Sequence, residues 1–317
     1  MEKKIFFKKL AIFFAGSVAV FLALWLLMTT GVFDAYFKQI VMTICINIIL
    51  ALSTNLIINF TGQLTLGHSA FMAIGAYAAA AGYKAGLPFF IAMAFGSLVA
   101  ALFGFLIGLP TLRLKGDYLA ITTMGFCQII VVLIQNIPQL GGAQGMTGIP
   151  GNTTFAGVFF TMIISVVVLY HIVNSRQGRA MISVREDEIA AEAMGINTTR
   201  YKVMAFTIGA FFAGLAGGLY AFMMMYIEPN MFNYFKSIDL VIYVVLGGSG
   251  NFAGCIASTS ILTILPEALR PLADYRMVIY PLLLIVIMIL RVKNIRFARL
   301  VEAIRRLRKG GDKNAAA

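Results

Sequence analysis

The feature that most limits what this chain can become is its succession of apolar runs. They fall at roughly 10–33, 38–60, 67–83, 88–108, 118–136, 155–174, 203–226, 238–265 and 277–291. Several are near 20 residues and almost free of charge, the length a helix needs to cross a hydrocarbon core of about 30 Å. Only 12% of the 317 residues are charged and 60% are hydrophobic. A soluble domain of this size needs far more polar cover. The expected fold is an all-α polytopic membrane protein of about 8–10 transmembrane helices, some of them broken or re-entrant.

Lys and Arg in the loops set the expected orientation. Residues 1–9, with Lys3, Lys4, Lys8 and Lys9, read as a basic cytoplasmic tail. Residues 10–291 read as the membrane domain and 292–317 as a second basic cytoplasmic tail. The N-terminus resembles a signal peptide, but its apolar part is too long and no small-x-small cleavage site follows. It is expected to stay as a first transmembrane helix. Loop 174–202, with Arg176, Arg179, Arg185, Arg200 and Lys202, then falls inside, as do Arg113 and Lys115. The uncharged loop 137–154 falls outside. So do Lys38, Lys84, Lys236, Arg270 and Arg276. The tail carries Arg291, Lys293, Arg296, Arg299, Arg305, Arg306, Arg308 and Lys309. It returns inside only if 238–265 enters and leaves on one side. Gly247, Gly248, Ser249, Gly250 and Asn251 in its middle make a poor helix interior, so a hairpin is expected there. Irregular backbone at that depth is tolerated where it is buried in protein or faces a watery cavity. In 292–309, Phe297, Leu300, Val301, Ile304 and Leu307 recur at helical spacing, as in a helix lying on anionic lipid.

A second interruption is TGQLTLGHSAFMAIGAY, residues 61–77, with Gln63, Thr65, His68 and Ser69 among small residues. Gly67, Gly75, Ala76 and Ala79 would let helix backbones approach closely. Two interrupted stretches, one in each half, point to a transport pathway. Asn47, Asn55 and Asn59 share one helix face, which either bonds between helices or lines a pore. Gln128, Gln135 and Asn136 form a second polar stripe with the same two readings. His68 either holds the broken backbone or serves as a ligand. The pathway candidates are Asn55, Asn59, Gln63, His68, Ser69, Gln128, Gly247, Gly248 and Ser249.

The longest charged segment between apolar runs is Asn174 to Lys202, NSRQGRAMISVREDEIAAEAMGINTTRYK. Ser183 and Glu186 have the spacing of a capping box. Glu186, Asp187 and Glu188 then occupy the first turn, favoured by the helix dipole, and Gly195 ends the helix. Ile182, Ile189, Ala193 and Ile196 mark one apolar face. Such a helix lies on lipid or plugs into a groove on a soluble partner. It is rich in Ala and Gly, carries both signs of charge and lacks the Trp, Phe and Leu of interfacial helices, which favours the groove.

Enzyme signals are sparse. His68 and His171 lack metal-ligand neighbours, and neither a G-x-S-x-G elbow nor a phosphate-binding loop occurs. No metal or cofactor is expected. Asp34, Asp117, Glu228, Asp239, Glu267 and Asp274 fall at span ends, so a carboxylate at mid-membrane, usual in ion-coupled transporters, is not expected. Asp117 beside Arg113 and Lys115 reads as a loop ion pair. Cys45, Cys127 and Cys255 sit in apolar stretches as small core residues. The net charge of +12 lies in tails and loops, so nucleic acid is not an expected partner.

The motifs GQLTLGHSAFMAIGAYAAA, LRLKGDYLAITTMGF, GGAQGMTGIPG, the block from NSRQGRAMISVREDEIAAEAMGINTTRYK to GGLYA, and VVLGGSGNFAG resemble the LivM-type permease subunit of branched-chain amino acid ABC importers. The resemblance covers roughly 40–295, in order. GDYLAI and REDEIAAEAMGI are closer to the LivM-type member than to its LivH-type partner. The resemblance implies a bacterial or archaeal inner-membrane protein working with a second, LivH-type permease. Two cytoplasmic ABC ATPase subunits and a soluble substrate-binding protein complete the implied assembly. Residues 183–196 would be the coupling helix, with Arg185, Glu186, Glu188, Ala191, Glu192, Ala193 and Gly195 at the ATPase contact. Glu192 to Gly195 is shorter than the usual importer coupling motif. Importers of urea or short amides share the architecture. A passive channel and an integral-membrane enzyme are the other readings; the last has no candidate nucleophile.

Overall fold

A computed structural model describes residues 21–22, 35–111, 114, 116–248, 250–270, 279–286 and 288–289. The protein is an all-α polytopic membrane protein. The helices are α1 (Ala35–Asn55), α2 (His68–Lys84), α3 (Phe89–Thr111), α4 (Asp117–Gln135), α5 (Phe155–Asn174), α6 (Arg176–Glu186), α7 (Glu188–Ala193), α8 (Thr198–Met224), α9 (Tyr234–Gly247) and α10 (Phe252–Ala268). A π-helical turn, Leu56–Phe60, continues α1. Among the described residues, five helical stretches are long and apolar enough to cross a membrane: Ala35–Phe60, Phe89–Pro110, Asp117–Gln135, Phe155–Asn174 and Thr198–Met224. Of the expected run 10–33 only Phe21 and Leu22 are described, with Phe21 stacked on Phe155. The tails 1–9 and 292–317, and with them the expected lipid-surface helix, lie outside the described residues.

The centre is α2, almost wholly buried and packed against α3 and α8. Small residues make that packing possible. A Cβ on Gly75 of α2 would overlap the Gly214 backbone of α8, and one on Gly217 would overlap the Met72 carbonyl. Lipid cannot drive helices together by apolar burial alone, so close backbone approach carries the association. By contrast, α3 exposes Phe90, Ile91, Phe95, Leu98, Leu102, Phe105, Leu106 and Leu109, the apolar stripe of a helix facing hydrocarbon. Cys45, Cys127 and Cys255 are buried and unpaired.

Side-chain contacts define two ends of this bundle. At one, Lys84 donates to the Thr147 carbonyl, Tyr226 to the Gln144 carbonyl and Gln135 to Asn230, and Met146 and Ile227 form a single bridge. At the other, Arg185 donates to the Asn59 carbonyl at 2.7 Å, joining α6 to the π-turn. Loops 137–154 and 174–202 therefore lie at opposite ends, as loop charge implies.

After α8 ends at Met225, in the left-handed region (φ 59°), the chain turns back into the bundle. Pro229–Phe232 form a 3-10 turn, and α9 begins alongside the start of α2. Gly248, at φ +94°, breaks the helix where a Cβ-bearing residue would be strained. The Ser258 hydroxyl donates to the Tyr243 carbonyl, and Gly254 crosses close to the Gly247 carbonyl. So α9 and the first part of α10 run antiparallel, the expected hairpin. Near its tip, Phe252 packs on Phe60 and on Tyr170. A second unit, residues 264–317, includes the helical residues 279–286 and 288–289 of the last apolar run.

Candidate functional site

The loop 174–202 folds as a knee of two helices. Ser175 starts α6 by accepting from Gly178 N–H, and Asp187 starts α7 by accepting from Ile189 and Ala190 N–H. The expected capping box is corrected: Ser183 lies inside α6 and donates to the Ala180 carbonyl, while Glu186 pairs with Arg185. One Asp187 carboxylate oxygen accepts from two first-turn donors, and its negative charge suits the helix N-terminus. The break at Asp187 also shifts the helical phase, so the expected apolar face does not form. Met181, Val184 and Ala191 pack inward, whereas Ile189 is 78% and Met194 82% exposed. Gly195 ends α7 at φ +81°.

Two acidic residues of the knee, Glu188 and Glu192, bond to α8. Glu188 accepts from Lys202 at 2.5 Å, and Glu192 accepts from the Thr198 hydroxyl at 2.7 Å. Both partners lie in the first turns of α8. Arg185 reaches the Asn59 carbonyl, and the Asn59 amide donates to Asn55 Oδ1 at 2.6 Å. Arg185 also covers Gly62. Hydrogen bonds thus run from the knee to the polar face of α1. Ala193 lies exposed beside Met194.

The pathway candidates separate into distinct places. Asn55 and Asn59 are buried near the knee, and Asn55 Nδ2 has no partner. Gln63 is buried and accepts from the Thr61 hydroxyl. His68 is fully buried, with Nε2 2.7 Å from the Ser53 hydroxyl oxygen and Nδ1 unpartnered. The Ser69 hydroxyl donates to the Asn233 carbonyl and meets Ser237 at 2.7 Å and Cys127 at 3.1 Å, so it knits α2, α4 and α9 together. Gln128 lies apart on an exposed face of α4, and Gly247 and Gly248 form the hairpin turn. Ser249 lies outside the described residues.

Two expectations are corrected by the position of α9. Lys236 is not at the outer surface, and Asp239 is not at a span end. Lys236 donates to Asn47 Oδ1 at 3.2 Å, and Asn47 lies near the middle of the 26-residue run Ala35–Phe60. Ser237 meets the Ser69 hydroxyl, which also meets Cys127, and Cys127 lies near the middle of the 19-residue α4. Both charges therefore sit at mid-depth and are half-buried. The signal that could have located them was N-Y-F-K, in which Asn233 caps α9 by accepting from Lys236 N–H. Among the described residues, no group of three His, Cys, Asp or Glu is placed to hold a metal.

Residues 36–291 match the family model described as "Branched-chain amino acid transport system / permease component". The chain is 35% identical over 282 residues to the high-affinity branched-chain amino acid transport system permease protein LivM of Salmonella typhimurium, and 34% identical to that of Escherichia coli. Each alignment covers 78% of this chain and 66% of the relative, so the chain spans just under two thirds of those proteins. It is also 30% identical to Salmonella typhimurium LivH over 49% of this chain and 53% of that one. No solved structure gives a significant match. With a match running through the interrupted α2, the knee and the hairpin, the chain belongs to the family of branched-chain amino acid transport system permease components.

Proposed function

We propose that this chain is a transmembrane subunit of an ABC importer for leucine, isoleucine and valine. It would pair with a second, LivH-type permease, two cytoplasmic ATPase subunits and a soluble binding protein, and would carry out no catalysis itself. The membrane domain 10–291 and the two basic tails keep the proposed division, with the knee and both termini cytoplasmic and loop 137–154 outside, as the loop charges favour.

The observation that carries this reading is the bracing of the knee. An exposed apolar pair, Ile189 and Met194, stands on a six-residue helix whose acidic side chains are tied to α8 and whose Arg185 is tied to the π-turn. Such a knob fits a groove on a partner. Arg185, Glu186, Glu188, Ala191, Glu192, Ala193 and Gly195 would form or hold the ATPase contact. When the ATPases close on ATP, a push on α7 would move α8 and the end of α1 together. Access would then switch by rocking of packed elements between two arrangements. The Asn55, Asn59, Gln63, His68, Ser69 and Gln128 groups and the Gly247-Gly248-Ser249 turn would provide the few polar contacts along an otherwise apolar path.

The test is uptake by proteoliposomes holding the whole complex. Labelled leucine should enter only with ATP and the binding protein. Uptake of urea instead of leucine would replace the substrate, and uptake without ATPase subunits would favour a passive channel.

A further inference from the structure

Charged side chains within a membrane-spanning bundle are costly, and they mark working sites or paired structural ones. Lys236 and Asp239 stand three apart on α9, hence on one flank of the helix. Yet among the described residues the direct ion pairs are Arg185–Glu186 and Lys202–Glu188, and this pair is not one of them. Lys236 is held from behind by the Asn47 amide oxygen. That contact orients the ammonium and leaves it donors to spare. Both residues keep part of their surface accessible, whereas Ser237 between them is fully buried in the junction with Ser69. A cation and an anion thus stand side by side at mid-depth, each partly accessible, and their positions are set by the contact of α2, α4 and α9.

We propose that Lys236 and Asp239 form a headgroup site for an α-amino acid. The Lys236 ammonium would donate to the substrate carboxylate, and the Asp239 carboxylate would accept from the substrate ammonium. Only a ligand carrying both charges satisfies both groups, so the site favours zwitterions over neutral amides or urea. Phe235 is exposed and stands four residues before Asp239, on the same side of the helix, where it would give an aliphatic side chain an apolar neighbour. The inference rests on the importer reading above and adds the residues that recognise the substrate.

The test measures leucine uptake by the complete complex in proteoliposomes for wild type, Lys236→Met, Asp239→Asn, Lys236→Arg and Asp239→Glu, with co-purification of the second permease and the ATPases as the assembly control. The two neutralising variants should assemble normally and lose about 10-fold or more of uptake at sub-saturating leucine, while the charge-keeping variants retain much of it. Neutralised variants that match wild type would overturn the headgroup site and leave the importer reading standing. Loss of the second permease on neutralisation would also overturn it, because the charges would then belong to a subunit contact. A wild-type complex that moves no leucine would overturn the importer reading itself, and this inference with it.

Discussion

The two interruptions of this chain look alike as sequence and behave differently as structure. The first, 61–67 leading into α2, is sealed. Thr61, Gln63, Thr65, His68 and Ser69 are buried, and the α2 that follows is clamped between α3 and α8 by glycine contacts. The second, from Met225 through the α9–α10 turn, keeps Lys236 and Asp239 partly accessible. In the first, most polar groups are already bonded within the bundle, so they offer a passing substrate few contacts; in the second, two charges stay partly accessible to a ligand. The Ser69–Ser237 contact joins the two, so the sealed break positions the open one.

Three variants would sharpen or break that contrast. The largest effect is expected at the sealed side. Gly75→Leu drives a side chain into the Gly214 backbone, a misfit of about 3 kcal/mol or more, and the protein should fail to accumulate in the membrane. Normal yield and melting would show that the helix approach is looser than described. Ser69→Ala removes the hydroxyl bonds to the Asn233 carbonyl and Ser237, both of which keep a backbone N–H partner, so it should cost about 0.5–1.5 kcal/mol, read as a lower melting temperature of the purified chain. The smallest stability effect is expected on the open side. The double variant Lys236→Met with Asp239→Leu should melt within about 1 kcal/mol of wild type or above it, since replacing a charge pair with apolar groups is often neutral or stabilising. A large loss of stability there would make the pair structural and erase the contrast.

Much of the architecture was legible in the sequence. Long uncharged runs allow little besides spanning helices, and Gly247-Gly248 announces a break wherever it falls. The basic tail forced a hairpin from charge counting alone, and the antiparallel contact of Tyr243 with Ser258 agrees. What escaped depends on tertiary geometry. Hydropathy begins a span at 238, but residues 225–233 descend into the bundle without forming a long helix, so Lys236 arrives at mid-depth despite its charge. The capping error was local: Ser183 and Asp187 both offer a cap, and Asp187 prevails by accepting two N–H bonds. Ile189 and Met194 differ in exposure from Ala191 only because α8 covers one side of α7, which no spacing rule reveals.

The central claim is that energy enters through the knee, at the end opposite loop 137–154. The most direct measurement places a photo-crosslinking residue at Met194 and, in a second variant, at Gln144, in the complete complex. The account predicts an ATPase adduct from position 194 and none from 144. An ATPase adduct from 144, or none from 194 in a complex that retains its ATPases, would contradict it.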